Sequence, residues 1–336
     1  MDRRQFVRSA FGLSALTAVE FAPWQAVAAL AQEVDNFVRG PAVKDHPLRQ
    51  LSPHVWMIFS PDGFPTPENQ GMMCNITCID TPQGVVVVDT GASVQIGEMA
   101  VRQIKAVLGK PVVAVINTHY HGDHFLGNQA FVEAYGAMPI YAHAGTIREI
   151  AGLEGSSWRT LMEQWTNQAT VGTRVVAPNT AVDHGQELKF GSLILRLHHY
   201  GKAHTPYDIC VEVVGDKLTC IGDVAMNGRI ANMDHGSFAG TLKAYEQLEK
   251  NAPSAIWLPG HGEAGPGVLA WNRAVFEGIY ESCVKAVEAG QPLEAAKTLV
   301  LRDPRVASRA KATKGFENNI GKYVSLAYLE AEAAAF

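Results

Sequence analysis

The chain is 336 residues long, 47% hydrophobic and 18% charged, with a formal net charge of −5. That much apolar material supplies one enzyme-sized core, and no run of five basic residues offers the clustered Lys and Arg that a nucleic-acid track needs. Past the amino terminus no apolar run approaches the length of a membrane-spanning helix, which excludes stable membrane insertion of the mature protein.

Residues 1–31 read as an export signal. Arg3 and Arg4 precede Phe6, an apolar stretch runs from Ala10 to Ala18, and small residues end at Ala26-Val27-Ala28 or Ala29-Leu30-Ala31. The pattern resembles a twin-arginine signal, which implies the twin-arginine export machinery as a partner and a periplasmic mature protein. Glu20 interrupts the apolar region, and an amphipathic amino-terminal helix is the alternative. The five cysteines, an odd number, form no disulfide framework and read as small buried residues.

Val55–Phe59, Asn75–Asp80 and Val85–Asp89 read as strands, with Pro82-Gln83-Gly84 as the turn between the last two. The Pro- and Gly-rich stretch 60–71, which carries Phe64, is either a plain surface loop or a hairpin flap over a site. Ser93 is placed to cap a helix with Ile96, Ala100, Val101, Ile104, Val107 and Leu108 on one face. A β-branched strand, Val112–Ile116, then leads into Thr118-His119-Tyr120-His121-Gly122-Asp123-His124. Here His119, His121, Asp123 and His124 crowd four potential metal ligands into six residues at a strand end. Imidazole with carboxylate suits zinc, and also iron or manganese, better than calcium or magnesium, which prefer all-oxygen shells.

Gly127–Tyr135 reads as helix, Pro139–Ala142 as strand and Thr146–Leu153 as helix. In segment 155–178, Trp158, Leu161, Met162 and Trp165 recur at helical spacing, which reads as packing, with a lid as the alternative. Leu193–His199 is a strand whose adjacent His198 and His199 face opposite ways, and neither is placed among the ligands. Asp208–Val214 and Lys217–Gly222 form a hairpin ending at Asp223, and a two-residue turn at Gly215-Asp216 sets Val211 opposite Cys220. Cys210 and Cys220 then point to opposite faces. Gly240–Lys250 is an amphipathic helix, Ala255–Leu258 a strand, and His261 follows it. Beyond Gly265 the pattern is helical, broken near Gln291-Pro292 and Asp303-Pro304.

After further strand-like runs stand Gly201-Lys202-Ala203-His204-Thr205-Pro206, Ile221-Gly222-Asp223 and Leu258-Pro259-Gly260-His261-Gly262. Taken singly, each of these ligand candidates is ordinary turn chemistry. Together with the His119–His124 stretch, in this order over about residues 50–265, they resemble the metallo-β-lactamase superfamily of hydrolases. The resemblance implies an α/β fold, the four-layer αββα sandwich over residues 32–265, with a helical C-terminal extension over 266–336. It also implies two metal ions, usually zinc with iron or manganese as alternatives: one on His119, His121 and His204, the other on Asp123, His124 and His261, with Asp223 between them. Asp123 would in addition orient the attacking water as the catalytic carboxylate, and Asp89 would support the site from beneath.

The expected reaction is hydrolysis of a small-molecule ester, thioester, lactone or β-lactam, with a mono-iron persulfide dioxygenase of the same fold as the alternative. An aspartate at 223, where some β-lactamases of the family carry a Cys ligand, looks more like the thioesterases and lactonases. The chain looks closest to exported hydrolases of sulfur-oxidation or quinoprotein systems. Tyr207, Asn227, Arg229 and Asn232 lie near the motifs and read as solvated loop residues, and no basic cluster of the kind glutathione-thioester hydrolases use is visible.

Overall fold

Alternation within single strands divides this chain into three cores. In Gly84–Val88, Val85 and Val87 point to one cluster of buried side chains while Val86 and Val88 point to another. A strand covered on both faces is apolar at every position, and each fully buried Val contributes about 1.5–3 kcal/mol. The computed structural model describes residues 38–61 and 63–335, so the export segment expected over residues 1–31 lies outside the described residues.

The first sheet has seven strands in sequential order: β1 (Leu48–Gln50), β2 (Val55–Ile58), β3 (Ile76–Thr81), β4 (Gly84–Val88), β5 (Val112–Ile116), β6 (Ile140–His143) and β7 (Thr180–Val182). It is antiparallel from β1 to β4 and parallel from β4 to β7. Helices α1 (Val94–Val107), α2 (Gly122–Phe125), α3 (Asn128–Tyr135), α4 (Ala144–Ala151) and α5 (Leu153–Trp165) follow its strands, and their apolar faces join the cluster on its outer face. Ser93 caps α1 by accepting a hydrogen bond from Ile96 N. Val107, expected on the buried face, is 46% exposed, because the helix ends there.

The second sheet has five strands in the order β12-β11-β10-β9-β8: β8 (Glu187–Phe190), β9 (Leu193–His198), β10 (Cys210–Val213), β11 (Leu218–Gly222) and β12 (Ile256–Pro259). Its inner face, through Leu195, Val211, Leu218 and Leu258, meets Met57, Val86 and Ile116 of the first sheet. Its outer face is covered by α6 (Phe238–Asn251), α7 (Val268–Glu288), α8 (Leu293–Arg302), α9 (Pro304–Ala307) and α10 (Phe316–Ala335). Helix, sheet, sheet, helix is the four-layer αββα order. The C-terminal helices are the outer layer itself: Tyr245 of α6, Phe276 of α7, Val300 of α8 and Val324 of α10 share one cluster. The breaks fall at Pro292 and Asp303, where expected.

Two details differ from the sequence reading, the unread short strands and the β10–β11 turn. Strands β1, β7 and β8 are short or carry polar residues on an open face, which leaves too few apolar positions to show a period. The β10–β11 turn spans Val214–Lys217, one 3₁₀ turn closed by Lys217 at φ 49°, rather than two residues. The register is unaffected, since Val211 pairs with Cys220, and Cys210 and Cys220 join different clusters. As read from the sequence, the helical spacing after Gly155 ends at Trp165, and the described residues of stretch 60–71 are an irregular loop without strand pairing. All five cysteines are buried and free. Among the described residues no helix is long and apolar enough to cross a membrane.

Candidate metal centre

The parallel strands β4 and β5 of one sheet and β11 and β12 of the other end on the same rim, and the loops leaving them carry the functional side chains. After β5 the chain stays extended at His121 (φ −75°, ψ 142°) and then turns into α2, so His119 and His121 face one way while Asp123 and His124 come from the first helical turn. His204 arrives from the loop after β9, Asp223 directly after β11 and His261 after β12. The seven residues form two buried groups: His119, His121, His204 and Asp223, and Asp123, His124 and His261.

Asp223 stands between the groups. Its Oδ2 lies 3.9 Å from His119 Nε2, 3.6 Å from His204 Nε2 and 3.3 Å from His261 Nε2, and its Oδ1 lies 3.4 Å from His124 Nε2. Asp123 Oδ2 is 3.1 Å from His261 Nε2 and 3.3 Å from His124 Nε2. His121 Nδ1 and His204 Nε2 face each other at 2.9 Å. The glycine of Pro259-Gly260-His261 is required by this closeness, because a Cβ there would fall 2.2 Å from Asp223 Oδ1.

Hydrogen bonds behind the rings set which nitrogen faces inward. Asp89 accepts from His124 Nδ1 at 2.8 Å, and from Thr118 N and Thr118 Oγ1, also at 2.8 Å each. Because the Thr118 hydroxyl spends its proton on Asp89, it accepts from His119 Nδ1 at 3.0 Å. His261 Nδ1 donates to Met73 O at 2.7 Å. Three rings are thereby fixed with a bare Nε2 turned to the centre, the arrangement that raises ligand basicity in metal sites. Asp89 does this from a left-handed backbone, φ 58°, uncommon for a non-glycine residue.

Burial lowers His119 and His121 well below the ordinary imidazole range, with neighbouring imidazoles adding to the effect at His119, and lowers His204 to about 4. At His124 and His261 burial acts in the same direction but is outweighed by Asp123 and Asp223, and both imidazoles are raised. Burial disfavours ionisation of Asp123 and Asp223, yet the adjacent imidazoles hold both carboxyls well below their usual range. Burial therefore dominates at His119, His121 and His204, and the carboxylates of Asp123 and Asp223 dominate at His124 and His261.

A cation fits this set. His119 Nε2, His124 Nε2, His204 Nδ1 and Asp223 Oδ1 are buried without a hydrogen-bond partner among the described residues. Each such atom costs about 1–3 kcal/mol, and inward-facing Nε2 and Oδ1 atoms recover that when they share a divalent cation. Imidazole and carboxylate donors select a transition metal or zinc. His198 and His199 stand apart: His198 Nε2 contacts Glu212 at 2.9 Å, and His199 Nδ1 donates to Asp208 O.

A cavity of about 470 Å³ opens above the centre, with His121, Asp123, His204, Asp223 and His261 in its floor. Trp158 packs on His121 (ring centroids 4.9 Å apart), Trp165 on Trp158 (6.1 Å) and Phe64 on Trp165 (5.3 Å), forming one aromatic wall. The packing reading of that stripe holds: Met162 is fully buried, and Trp158 and Trp165 pack against the same cluster while each also lines the cavity. Loop 60–71 lines it too, through Gly63, Phe64 and Pro65.

Arg229 and Asn232 reach the cavity, whereas Tyr207 stacks on His143 and Asn227 donates to Glu263 O. Arg229, Lys314 and Lys322 all line it, a set of cations that no local pattern in the sequence groups. Its members are far apart in the chain, and Lys314 and Lys322 sit in a helical tail whose spacing carries no trace of the site.

A family model described as the metallo-beta-lactamase superfamily matches residues 69–261, more than half of the chain. A linear primary-alkylsulfatase from Pseudomonas sp. (strain ATCC 19151) is 37% identical over 68 residues, covering 19% of this chain and 13% of that protein. The chain thus spans about an eighth of the length of that curated relative. A solved structure, a metallo-beta-lactamase from Pontibacter korlensis, superposes with a TM-score of 0.55 at 21% identity, over 68% of this chain and 98% of that one, which is a likeness of fold. With the matched segment holding Asp89, the His119–His124 stretch, His204, Asp223 and His261, the chain belongs to the metallo-β-lactamase superfamily and has its metallohydrolase fold.

Proposed function

We propose that this protein is a binuclear metal-dependent hydrolase of small esters, thioesters, lactones or β-lactams. The observation that carries the reading is the convergence of seven buried ligand-type side chains, four of them with a polar atom that has no hydrogen-bond partner among the described residues, at the base of an open cavity that five of the seven line. In this reading His119, His121 and His204 hold one ion, Asp123, His124 and His261 hold a second, and Asp223 is shared. Bound there, two ions supply Lewis acidity toward the substrate's carbonyl and bring a water's pKa down toward 7.

The remaining work falls to side chains. Asp123, kept ionised by His124 and His261 and open to the cavity, accepts a hydrogen bond from the attacking water and orients it. Asp89 and Thr118 hold His124 and His119 in one tautomer and orientation. Trp158, Trp165 and Phe64 take the apolar part of a substrate and exclude water on that side. The short match to an alkylsulfatase adds sulfate esters to the classes worth testing.

The experiment is chelation followed by reloading with zinc, manganese or iron, and assay against nitrophenyl esters, a thioester, a lactone, a cephalosporin and an alkyl sulfate. Turnover of at least one class, lost on chelation and restored by a metal, is the expected result. No hydrolysis under any loading, with oxygen uptake on a persulfide when iron is bound, would replace this reading with the mono-iron dioxygenase.

A further inference from the structure

His121 and His204 differ from the other three imidazoles of the centre in having no hydrogen bond from behind. Among the described residues their rings make one, to each other at 2.9 Å, and His204 Nδ1 is bare. The backbones that carry these rings therefore set their positions, and both backbones lean on one segment, 234–239. His235 Nδ1 meets the hydroxyl of Tyr120, the residue between His119 and His121, at 2.9 Å. Ser237 N donates to the carbonyl of Ala203, the residue before His204, at 2.8 Å. A Cβ on Gly240 would collide with Lys202 O, so the first turn of α6 is shaped to receive the His204 loop. Among the described residues no hydrogen bond from segment 234–239 reaches Asp123, His124 or His261.

Segment 234–239 is in turn held by α10. Glu330 closes the start of α6 from that other helix: its carboxylate accepts from Ser237 Oγ at 2.6 Å, Phe238 N at 2.7 Å and Ala239 N at 3.1 Å. Ser237 Oγ keeps a lone pair for Gly240 N at 2.9 Å, so the cap and the carboxylate together take three of the backbone donors that a helix start leaves unpaired. A carboxylate in that place is a charge-assisted anchor and sits at the favourable end of the helix dipole. Roughly two turns earlier on α10, Lys322 pairs with Asp234 at 2.6 Å. The path from α10 to His204 thus runs through Glu330, Ser237 and Ala203, and the path to His121 runs through His235 and Tyr120.

We propose that α10 positions the His119, His121 and His204 half of the centre, with Glu330 and His235 as positioning residues that touch neither substrate nor metal. The hydrogen bonds to Asp89 and to Met73 O serve His124 and His261 in the other half. This rests on the binuclear reading above and assigns each half its own support.

The test reads the two halves separately, by titrating cobalt against a competing chelator in the full chain. Asp123→Ala leaves the first half intact and His121→Ala the second. Glu330→Ala is expected to lower cobalt affinity about tenfold in the Asp123→Ala background, the scale of a support lost behind a ligand, and less than about twofold in the His121→Ala background. Glu330→Gln, which retains one acceptor oxygen, is expected to recover part of the loss. His235→Phe changes an exposed side chain and removes the bond to Tyr120, so it tests the same selectivity should Glu330→Ala fail to fold. One ion per wild-type chain, weakened by Glu330→Ala, would leave the positioning role standing and remove the binuclear reading. Two ions whose affinities fall equally in both backgrounds, or do not fall, would make Glu330 a helix cap alone and overturn the proposal while leaving the binuclear reading. A wild-type chain that binds no cobalt would overturn both.

Discussion

Asp223→Ala is expected to lose metal from both halves of the centre and with it nearly all turnover. Its two oxygens face different groups, Oδ1 toward His124 and Oδ2 toward His119, His204 and His261, so one truncation removes a donor from each half. In the binuclear reading it also removes the anion that would offset two adjacent divalent charges, whose repulsion would fall off slowly in a water-poor site. Loss of a partner that merely supports a ligand costs about 10–100-fold in metal affinity, and loss of a shared ligand should exceed that range. Metal analysis after dialysis, with the rate on the best substrate, reads both effects. Asp123→Ala is the contrast, expected to deplete only the ion held with His124 and His261. An Asp223→Ala protein that retains two ions, or loses only one, would show that the aspartate is not shared.

The second large effect is expected at Asp89, which stands behind the candidate ligands. Its carboxylate accepts three hydrogen bonds of 2.8 Å, from Thr118 N, Thr118 Oγ1 and His124 Nδ1, and it occupies a backbone region that alanine tolerates poorly. Asp89→Ala leaves three buried donors without an acceptor and adds backbone strain. Each unpaired donor costs about 1–3 kcal/mol, so thermal unfolding of the chelated protein should shift down by several degrees. His124 is then free to rotate, and through Thr118 so is His119, so metal affinity should fall about 10–100-fold. Unchanged unfolding and unchanged metal affinity in Asp89→Ala would mean that the rings are held by other contacts. Asp89→Asn, which tolerates the left-handed backbone, separates the two costs: it should recover part of the stability but not the affinity.

The order of the ligand motifs made the fold and the floor of the site legible, for a physical reason. Side chains that converge on one centre must come from strand ends on one rim, so each candidate ligand stands just after an apolar run. His119 after β5, Asp223 after β11 and His261 after β12 all show this. Side-chain alternation was equally readable where strands were covered on both faces, as the Val211–Cys220 pairing illustrates. Polar or three-residue strands such as β1 and β7 gave no periodic signal, because edge pairing needs little apolar surface.

The walls of the cavity were the least legible. Trp158 and Trp165 have the same helical spacing as the buried Met162, and only the position of α5 over α2 turns Trp158 toward His121, with Trp165 packed on it. Arg229 resembled any polar loop residue, and Lys314 became a neighbour of the site only when α10 folded back over the second sheet. Tertiary packing, not local pattern, brings those side chains together.

Anomalous X-ray scattering at the metal edge from crystals of reloaded protein tests directly whether one aspartate is shared between two ions. Two peaks are expected, one among His119, His121 and His204 and the other among Asp123, His124 and His261, with an oxygen of Asp223 bonded to each. A single peak under saturating metal, or two peaks of which only one is bonded to Asp223, would contradict it.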